Sequence, residues 1–289
     1  MGGRRWRGGD LSDIVSGKKT RQGETMGDNE MLAKGIGLAE AGDYAAAAAQ
    51  FRACVEEDPE NPECCFYLGE ALAEDGKLDD AAGWYEKGLK LAPADKDALT
   101  ALGDLYFEMG RHKDALKHYQ KVLELDPADS DAYVNMGLIY NSLERTTDAV
   151  QAFEKALELD STNVFAYNGL GDAYYGLGER EKAIDAFRRG VELDPDDAAA
   201  HFNLGELYYD LEEYDDAERE CLAAVRLDPD FTMSYLTLGS LYMDNERVQD
   251  AIKYLELYLK KEKSPQAKET VEEVRAVLEG LRAEAGSTA

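Results

Sequence analysis

The sequence has no long apolar run and no excess of positive charge. No stretch of about 18 consecutive apolar residues occurs, so no segment is long enough to cross a bilayer as a helix. Asp and Glu number 60 against 32 Lys and Arg, which gives a formal net charge of −28. Nucleic acids and anionic membrane surfaces attract positive charge instead. These absences predict a soluble, acidic protein of the cytoplasm whose partners are neither nucleic acids nor membranes.

Residues suited to catalysis and metal binding are also scarce. Four cysteines are too few for a disulfide scaffold in 289 residues, and most of them fall at core positions, where thiols are unreactive. Neither they nor the three histidines have the spacing of a metal site. No phosphate-binding loop or nucleophile elbow occurs. The sequence therefore predicts no enzyme activity, no cofactor and no metal. The residues concerned are Cys54, Cys64, Cys65, Cys221, His112, His118 and His201.

Positive charge is concentrated at the start of the chain. Residues 1–27 hold six bases and three acids, a net charge of +3, whereas the remainder carries −31. No apolar stretch follows Arg4-Arg5, so an export signal is not indicated. Trp6 stands where a myristoylation motif has Ser or Thr. We expect 1–27 to be a disordered basic extension, with Met26 as an alternative start.

Glycine recurs with a fixed period of 34 residues. An Ala series and an aromatic-rich series run at the same period and stay in phase for more than 200 residues. Periods of this length indicate a helical repeat array. The three series are Gly35, Gly69, Gly103, Gly137, Gly171, Gly205 and Gly239; Ala47, Ala81, Ala115, Ala149, Ala183, Ala217 and Ala251; and Phe51, Tyr85, Tyr119, Phe153, Phe187, Cys221 and Leu255.

Each unit has the pattern of two helices. In 96–129, apolar residues spaced by three and four form one stripe before Gly110 and a second stripe after it, and Asp126-Pro127 ends the second helix. No strand pattern competes, so we predict an all-α fold. A Gly inside a helix costs about 1 kcal/mol relative to Ala. We therefore expect the Gly series to mark a close approach of two helix backbones, with the Ala series as the partner surface.

These units resemble the tetratricopeptide repeat, most fully in the fifth repeat. There the family's signature is carried by Tyr167, Leu170, Gly171, Tyr174, Ala183, Phe187 and Pro195. The resemblance covers seven repeats in 28–265 and implies a right-handed α-solenoid superhelix of helix-turn-helix repeats. The predicted repeats are 28–61, 62–95, 96–129, 130–163, 164–197, 198–231 and 232–265. Residues 266–289 are predicted to form a C-terminal capping helix and a frayed tail.

The resemblance also implies a concave groove for a peptide or a helix of another protein. It is lined by repeat positions 2, 5, 6, 9, 12 and 13, counted from the start of each repeat. No Lys or Arg occupies these positions in any repeat. An acidic groove that attracts Lys- or Arg-bearing segments is one interpretation, and a solvated acidic surface is the other. The position 9 acids are Glu70, Asp104, Asp172 and Glu206.

Two further sets of groove residues are candidates. Asn135, Asn168 and Asn203 are able to hydrogen-bond a peptide backbone, although an ordinary polar helix surface is the alternative. Phe107, Tyr175 and Tyr209 share position 12 and would anchor a partner if exposed, or pack between repeats if buried.

The sequence thus favours a non-catalytic interaction scaffold or adaptor that binds a protein or peptide. A chaperone or assembly factor that shields a client segment is an alternative, and so is a regulatory subunit of an enzyme on another chain. Protection of an aggregating client would indicate the chaperone, and co-purification of one stoichiometric enzyme would indicate the regulatory subunit. The partner and the oligomeric state do not follow from the sequence.

Overall fold

The computed structural model describes residues 30–287, with side chains to residue 283, and this part of the chain contains helices joined by short turns and no strands. The expectation of disorder for 1–27 lies outside the described residues. The helices are α1 (Glu30–Glu40), α2 (Tyr44–Glu57), α3 (Pro62–Glu74), α4 (Leu78–Leu91), α5 (Lys96–Glu108), α6 (His112–Leu125), α7 (Ser130–Ser142), α8 (Thr146–Leu159), α9 (Val164–Gly176), α10 (Arg180–Leu193), α11 (Ala198–Asp210), α12 (Tyr214–Leu227), α13 (Thr232–Asp244), α14 (Val248–Lys261) and α15 (Lys268–Ser287), with a 3-10 turn at Pro265–Ala267.

The helices form two compact units, which we name the N-terminal unit (α1–α8, ending at Leu159) and the C-terminal unit (α9–α15, beginning at Asp160). Within each unit the two helices of a repeat pack against each other, and the second packs on the first helix of the next repeat. No helix in residues 30–287 combines the length and the apolar character needed to span a membrane.

The ends of the helices follow from local sequence. Five of the first helices are capped by Asp or Asn at the last position of the preceding repeat. The side chain of Asp95, for example, accepts from the Ala98 amide at 2.8 Å. Position 15 has a positive φ in every repeat, which suits glycine at Gly110 and strains the three glutamates found there. The caps are Asn61, Asp95, Asp129, Asn163 and Asp197, and the strained residues are Glu144, Glu212 and Glu246.

In five of the seven repeats the atoms nearest to the glycine belong to an aromatic ring of the second helix, which the expectation of a contact between two helix backbones did not include. A Cβ on Gly171 would lie 2.6 Å from Cε1 of Phe187, sixteen residues later, and Gly35 and Gly137 face Phe51 and Phe153 in the same way. The side chain from the second helix thus fills the space that a glycine leaves on the first. Backbone atoms of the second helix also come close, as at Gly69, where the Ala81 carbonyl oxygen would lie 3.2 Å from a Cβ, and at Gly205, where the Cys221 nitrogen would lie 3.1 Å away.

A disulfide joins Cys54 to Cys64, and the expectation of a free thiol at Cys54 is therefore wrong. The bond ties the last turn of α2 to the first turn of α3, so it crosses from the first repeat to the second. Cys65 and Cys221 are free and buried. Burial raises the pKa of both thiols, that of Cys221 to about 12, which keeps them protonated and unreactive at neutral pH.

Helix α15 covers the apolar face of the last repeat. Val274 and Leu278, 5% and 3% exposed, pack in one cluster with Tyr235, Leu255 and Tyr258 of α13 and α14. On its outer side Arg282 forms an ion pair with Glu256 of α14 at 2.6 Å. The helix therefore has one face in the core and one charged face.

Candidate functional site

A cavity in the C-terminal unit lies between the neighbouring first helices α9 and α11. Helix α9 supplies two of its lining residues, helix α11 supplies four, and Phe187 of α10 completes the lining. The volume of the cavity is about 300 Å³. Carboxylates, two aromatic rings and an amide are among the groups that line it. Four of the ten predicted groove residues meet here, at positions 6, 9 and 12. The lining consists of Asp172, Tyr175, Phe187, Asn203, Glu206, Leu207 and Asp210.

Three carboxylates converge on this cavity, and they repel one another. The pKa of Glu206 is raised, first because burial penalises its charge and then because Asp210 and Asp172 lie nearby. All three residues retain exposed surface. The three side chains together make the lining of the cavity acidic.

Two tyrosines at position 12 donate hydrogen bonds to aspartates at position 13 of the next repeat. Tyr175 Oη donates to Asp210, and Tyr209 Oη donates to Asp244 Oδ2 at 2.6 Å. The bond to Asp210 raises the pKa of Tyr175, and burial together with Asp244 raises that of Tyr209. These bonds fix the ring of Tyr175 beside the cavity while leaving it 45% exposed. Sequence reasoning named the tyrosines but missed the pairing, although the recurring 35-residue offset was visible.

The three asparagines have different environments. Asn203 lines the cavity, and its buried Nδ2 makes no hydrogen bond within residues 30–283. Asn168 is only 1% exposed and lies against Gly190 of α10, with a long 3.4 Å bond to Asp197. The prediction that Asn168 lines the groove is therefore wrong, because position 5 of this repeat faces the core.

In the N-terminal unit, Asp104 and Asn135 belong to a half-buried polar cluster around Tyr119. Tyr119 Oη donates to Asp104, and the side chain of Asn135 also hydrogen-bonds the Tyr119 hydroxyl. Burial raises the pKa of Asp104 to about 6, although the bond from Tyr119 opposes the shift. The cluster joins α5, α6 and α7. Both predicted groove residues thus serve contacts between repeats in this unit.

Replacing Asp104 with Asn is expected to stabilise the protein at pH 7 by about 1–2 kcal/mol. The folded protein holds a proton on Asp104 up to about pH 6, whereas the unfolded chain releases it near pH 3.8. The stability of the wild type therefore falls as pH rises through this window, and that of the variant does not share this loss. Urea unfolding at pH 4, 5, 6 and 7 measures the difference. Equal curves at every pH would contradict the prediction, and Glu108→Gln, an exposed change on the same helix, is the control.

The remaining candidates of the N-terminal unit are partly covered. Glu70 of α3 is half-buried. Phe107 is half-buried too, packs against the core of this unit, and contacts the ring of His112 at a centroid distance of 5.6 Å. The packing interpretation therefore applies to Phe107, whereas Tyr175 at the same repeat position in the C-terminal unit is 45% exposed.

One buried ion pair was not foreseen. His201 of α11 places Nδ1 2.7 Å from Glu220 Oε2 of α12 and Nε2 3.1 Å from the Pro195 carbonyl oxygen. Two acceptors around one ring favour the doubly protonated form, and the hydrogen bond to Glu220 is the main cause of the raised pKa of His201. The pair joins the two helices of the sixth repeat. Among residues 30–287, no three His, Cys, Asp or Glu side chains are grouped to hold a metal ion.

Family models agree with the repeat pattern along the described chain. Models described as tetratricopeptide repeat match residues 32–96, 168–230 and 234–273, and one described as TPR repeat matches 103–143 and 137–178. The chain belongs to the tetratricopeptide repeat family. The cavity between α9 and α11 is thus formed by the first helices of two tetratricopeptide repeats. No curated protein sequence matches the chain.

Solved tetratricopeptide repeat structures share the all-α solenoid fold. A tetratricopeptide repeat protein from Parabacteroides merdae ATCC 43184 is similar over 88% of this chain and 98% of its own, with 21% identity and a TM-score of 0.69. MamA is 27% identical, with 57% of this chain and 96% of its own covered and a TM-score of 0.54. YrrB, described as "a TPR protein with an unusual peptide-binding site", is 24% identical over 64% and 95%, with a TM-score of 0.50.

Proposed function

We propose that this tetratricopeptide repeat protein is a non-catalytic scaffold that holds a segment of a partner protein along its first helices. The cavity between α9 and α11 receives a Lys or Arg side chain of that segment. One observation carries the proposal: Asp172, Glu206 and Asp210 converge beside the exposed ring of Tyr175 in a space of about 300 Å³. The description of YrrB as a peptide-binding relative of the same fold supports it.

The contributions of these groups to binding differ. An exposed ion pair is worth about 0.2–1 kcal/mol, so the carboxylates mainly provide selectivity and a fast, salt-sensitive association. The ring of Tyr175 adds apolar contact and a face for the cation, which slows dissociation. Asn203 Nδ2 is a donor for a backbone carbonyl of the bound segment. The cavity is therefore suited to one basic residue and its own peptide unit.

Partners are to be captured on the immobilised full-length protein and identified by mass spectrometry. A parallel capture uses Asp172→Asn with Glu206→Gln. The control is Glu181→Gln with Asp185→Asn, which changes the charge equally at exposed sites of the neighbouring helix α10. A protein retained by the wild type and the control but lost from the groove variant supports the proposal. Retention of all partners by all three forms would contradict it.

Kinetics with a synthetic peptide from such a partner separate the two contributions. Asp172→Asn with Glu206→Gln is expected to slow association about tenfold at low salt and to flatten its salt dependence, because the steering charge is lost. Tyr175→Ala is expected mainly to speed dissociation, whereas Tyr175→Phe keeps the ring and only loses the bond to Asp210. Surface plasmon resonance measures both rates. An unchanged association rate in the acid variant would show that the carboxylates are only a solvated surface.

A cytoplasmic location is part of the proposal and is testable through the disulfide. Disulfides are uncommon in reducing compartments. Fractionation of cells after rapid thiol blocking, followed by mass spectrometry of the peptides that contain Cys54 and Cys64, reports both the location and the redox state. A fully oxidised pair in a secreted fraction would overturn the cytoplasmic assignment.

A further inference from the structure

The groove between α9 and α11 changes in chemistry along its length. Phe165, in the first turn of α9, is 63% exposed, the highest fraction among the large apolar side chains of residues 30–283. Asp172 and Tyr175 of the same helix are exposed as well, and spacings of seven and three residues place all three on one face. With a rise of about 1.5 Å per residue, Asp172 lies about 10 Å from Phe165 along the helix axis. This face of α9 is thus apolar at one end and acidic at the other.

Helix α11 lies beside α9 and forms the other wall of the groove. At the acidic end, Tyr175 Oη donates to Asp210 of α11. Near the apolar end, Asn168 Nδ2 of α9 donates to Asp197 Oδ2, at the start of α11, over 3.4 Å. Neither helix contains a Lys or Arg, so no fixed cation repels a basic segment in this groove.

The residues of α11 continue the same change in chemistry. Ala199 is half-buried and has the repeat position of Phe165, and its small side chain leaves room for a large apolar group beside that ring. Glu206 has the repeat position of Asp172 and lines the cavity at the acidic end. Asn203 lies between the two ends, so the groove offers an apolar contact, an amide and a carboxylate in succession.

We propose that the partner segment binds this groove in an extended, polyproline II conformation and carries a large apolar side chain three residues from the Lys or Arg that enters the cavity. The apolar side chain packs on Phe165 and Ala199. The inference rests on the proposed function, because the basic residue is the one already assigned to the cavity. It adds a second anchor residue, its spacing from the first, and the conformation between them.

The spacing follows from the dimensions of the two chains. Polyproline II has three residues per turn and rises about 3.1 Å per residue, so side chains three residues apart share a side and lie about 9 Å apart. This matches the distance of about 10 Å between Phe165 and Asp172, whereas residues three apart in an α-helix are separated by only about 4.5 Å along the axis. Polyproline II has no internal hydrogen bonds, so its carbonyls are free to accept from Asn203 Nδ2.

A selection from a random peptide library tests the spacing. Phage-displayed peptides of about 12 residues are selected on the immobilised full-length protein and sequenced. We expect Leu, Ile, Met, Phe or Trp three residues from a Lys or Arg at least about threefold more often than in the unselected library. Enrichment of Lys and Arg without an apolar residue at that distance would overturn this inference and leave the proposed function standing. The absence of any Lys or Arg enrichment would overturn both.

Matched variants locate the apolar contact. The selection is repeated on Phe165→Ala and on the control Met233→Ala, which removes a 42% exposed side chain at the same repeat position of α13, outside this groove. Phe165→Ala is expected to lose the preference for the apolar residue and to keep that for Lys or Arg, whereas the control keeps both. Asp172→Asn with Glu206→Gln should lose the preference for Lys or Arg. A Phe165→Ala protein that still selects the apolar residue would overturn the inference.

Proline substitution tests the conformation of the bound segment. A selected peptide is synthesised with Pro at both positions between its apolar and basic residues, and a second version has Ala there. Pro fits polyproline II and disrupts a helix, so we expect the two versions to bind the full-length protein within about twofold of each other. Moving the apolar residue by one position should weaken binding at least about fivefold to the wild type, but not to Phe165→Ala. Isothermal titration calorimetry measures these affinities. Loss of binding by the Pro version alone would show a helical segment and overturn the inference.

Discussion

Replacing Gly171 with Leu is expected to lower the thermal melting midpoint by roughly 6–12 °C, because it costs about 3 kcal/mol of stability. Even the first carbon of the new side chain would lie 2.6–2.8 Å from three atoms of the Phe187 ring. That ring is rigid and only 3% exposed. Either it must turn toward the cavity that it lines or the two helices must separate, and both changes disturb the packing of the repeat.

The matched control is Gly280→Leu, in α15 of the same unit. A Cβ at Gly280 meets nothing within 4 Å, and the residue is exposed. There Leu replaces the poorest ordinary helix former, so we expect unchanged or slightly higher stability. Differential scanning calorimetry of both variants at one pH and protein concentration measures the contrast. A drop of only one or two degrees for Gly171→Leu would remove the ring-contact argument.

The repeat fold was predictable from the sequence because its determinants are local. Apolar spacing, Gly at four of the turns and Asp or Asn before five of the first helices act within a few residues, and the 34-residue period keeps them in phase along the chain. What occupies the space over Gly171 was not predicted, because that depends on which rotamer Phe187 adopts after the helices have packed. The 34-residue period identifies both residues. Their contact depends on how the two helices pack, which the period does not specify.

The candidate site was predicted less completely for a related reason. Repeat position does not say whether a side chain faces solvent. Asn168 is buried because Gly190 on α10 leaves room beside it, as Gly88 does for Phe66 at the same two positions of the second repeat. That shared glycine was a usable signal in the sequence. The disulfide offered no such signal, since Cys54 and Cys64 meet only when the first two repeats are stacked.

Ending the chain at Pro265 is expected to destabilise the C-terminal unit and to cause self-association. Removal of α15 takes away the buried side chains of Val274 and Leu278, each worth about 1.5–3 kcal/mol. It also uncovers Tyr235, Leu255 and Tyr258, which form a contiguous apolar face in the present structure. An exposed face of this kind associates with other apolar surfaces, and terminal repeats in such arrays need a polar outer covering.

Point variants of α15 test the same idea without shortening the chain. Leu278→Asp places a charge in the core position, whereas Val277→Asp, next to it, changes a residue that is 39% exposed. We expect the first variant to reproduce the loss of stability and the second to behave like the wild type. Size-exclusion chromatography with light scattering and a thermal melt measure both consequences. A chain ending at Ala283, which keeps the packed face of α15, controls for truncation itself. The chain ending at Pro265 contradicts the prediction if it stays a monodisperse monomer with an unchanged melting midpoint. Helix α15 would then not act as a cap, and the apolar face beneath it would be stable in contact with water.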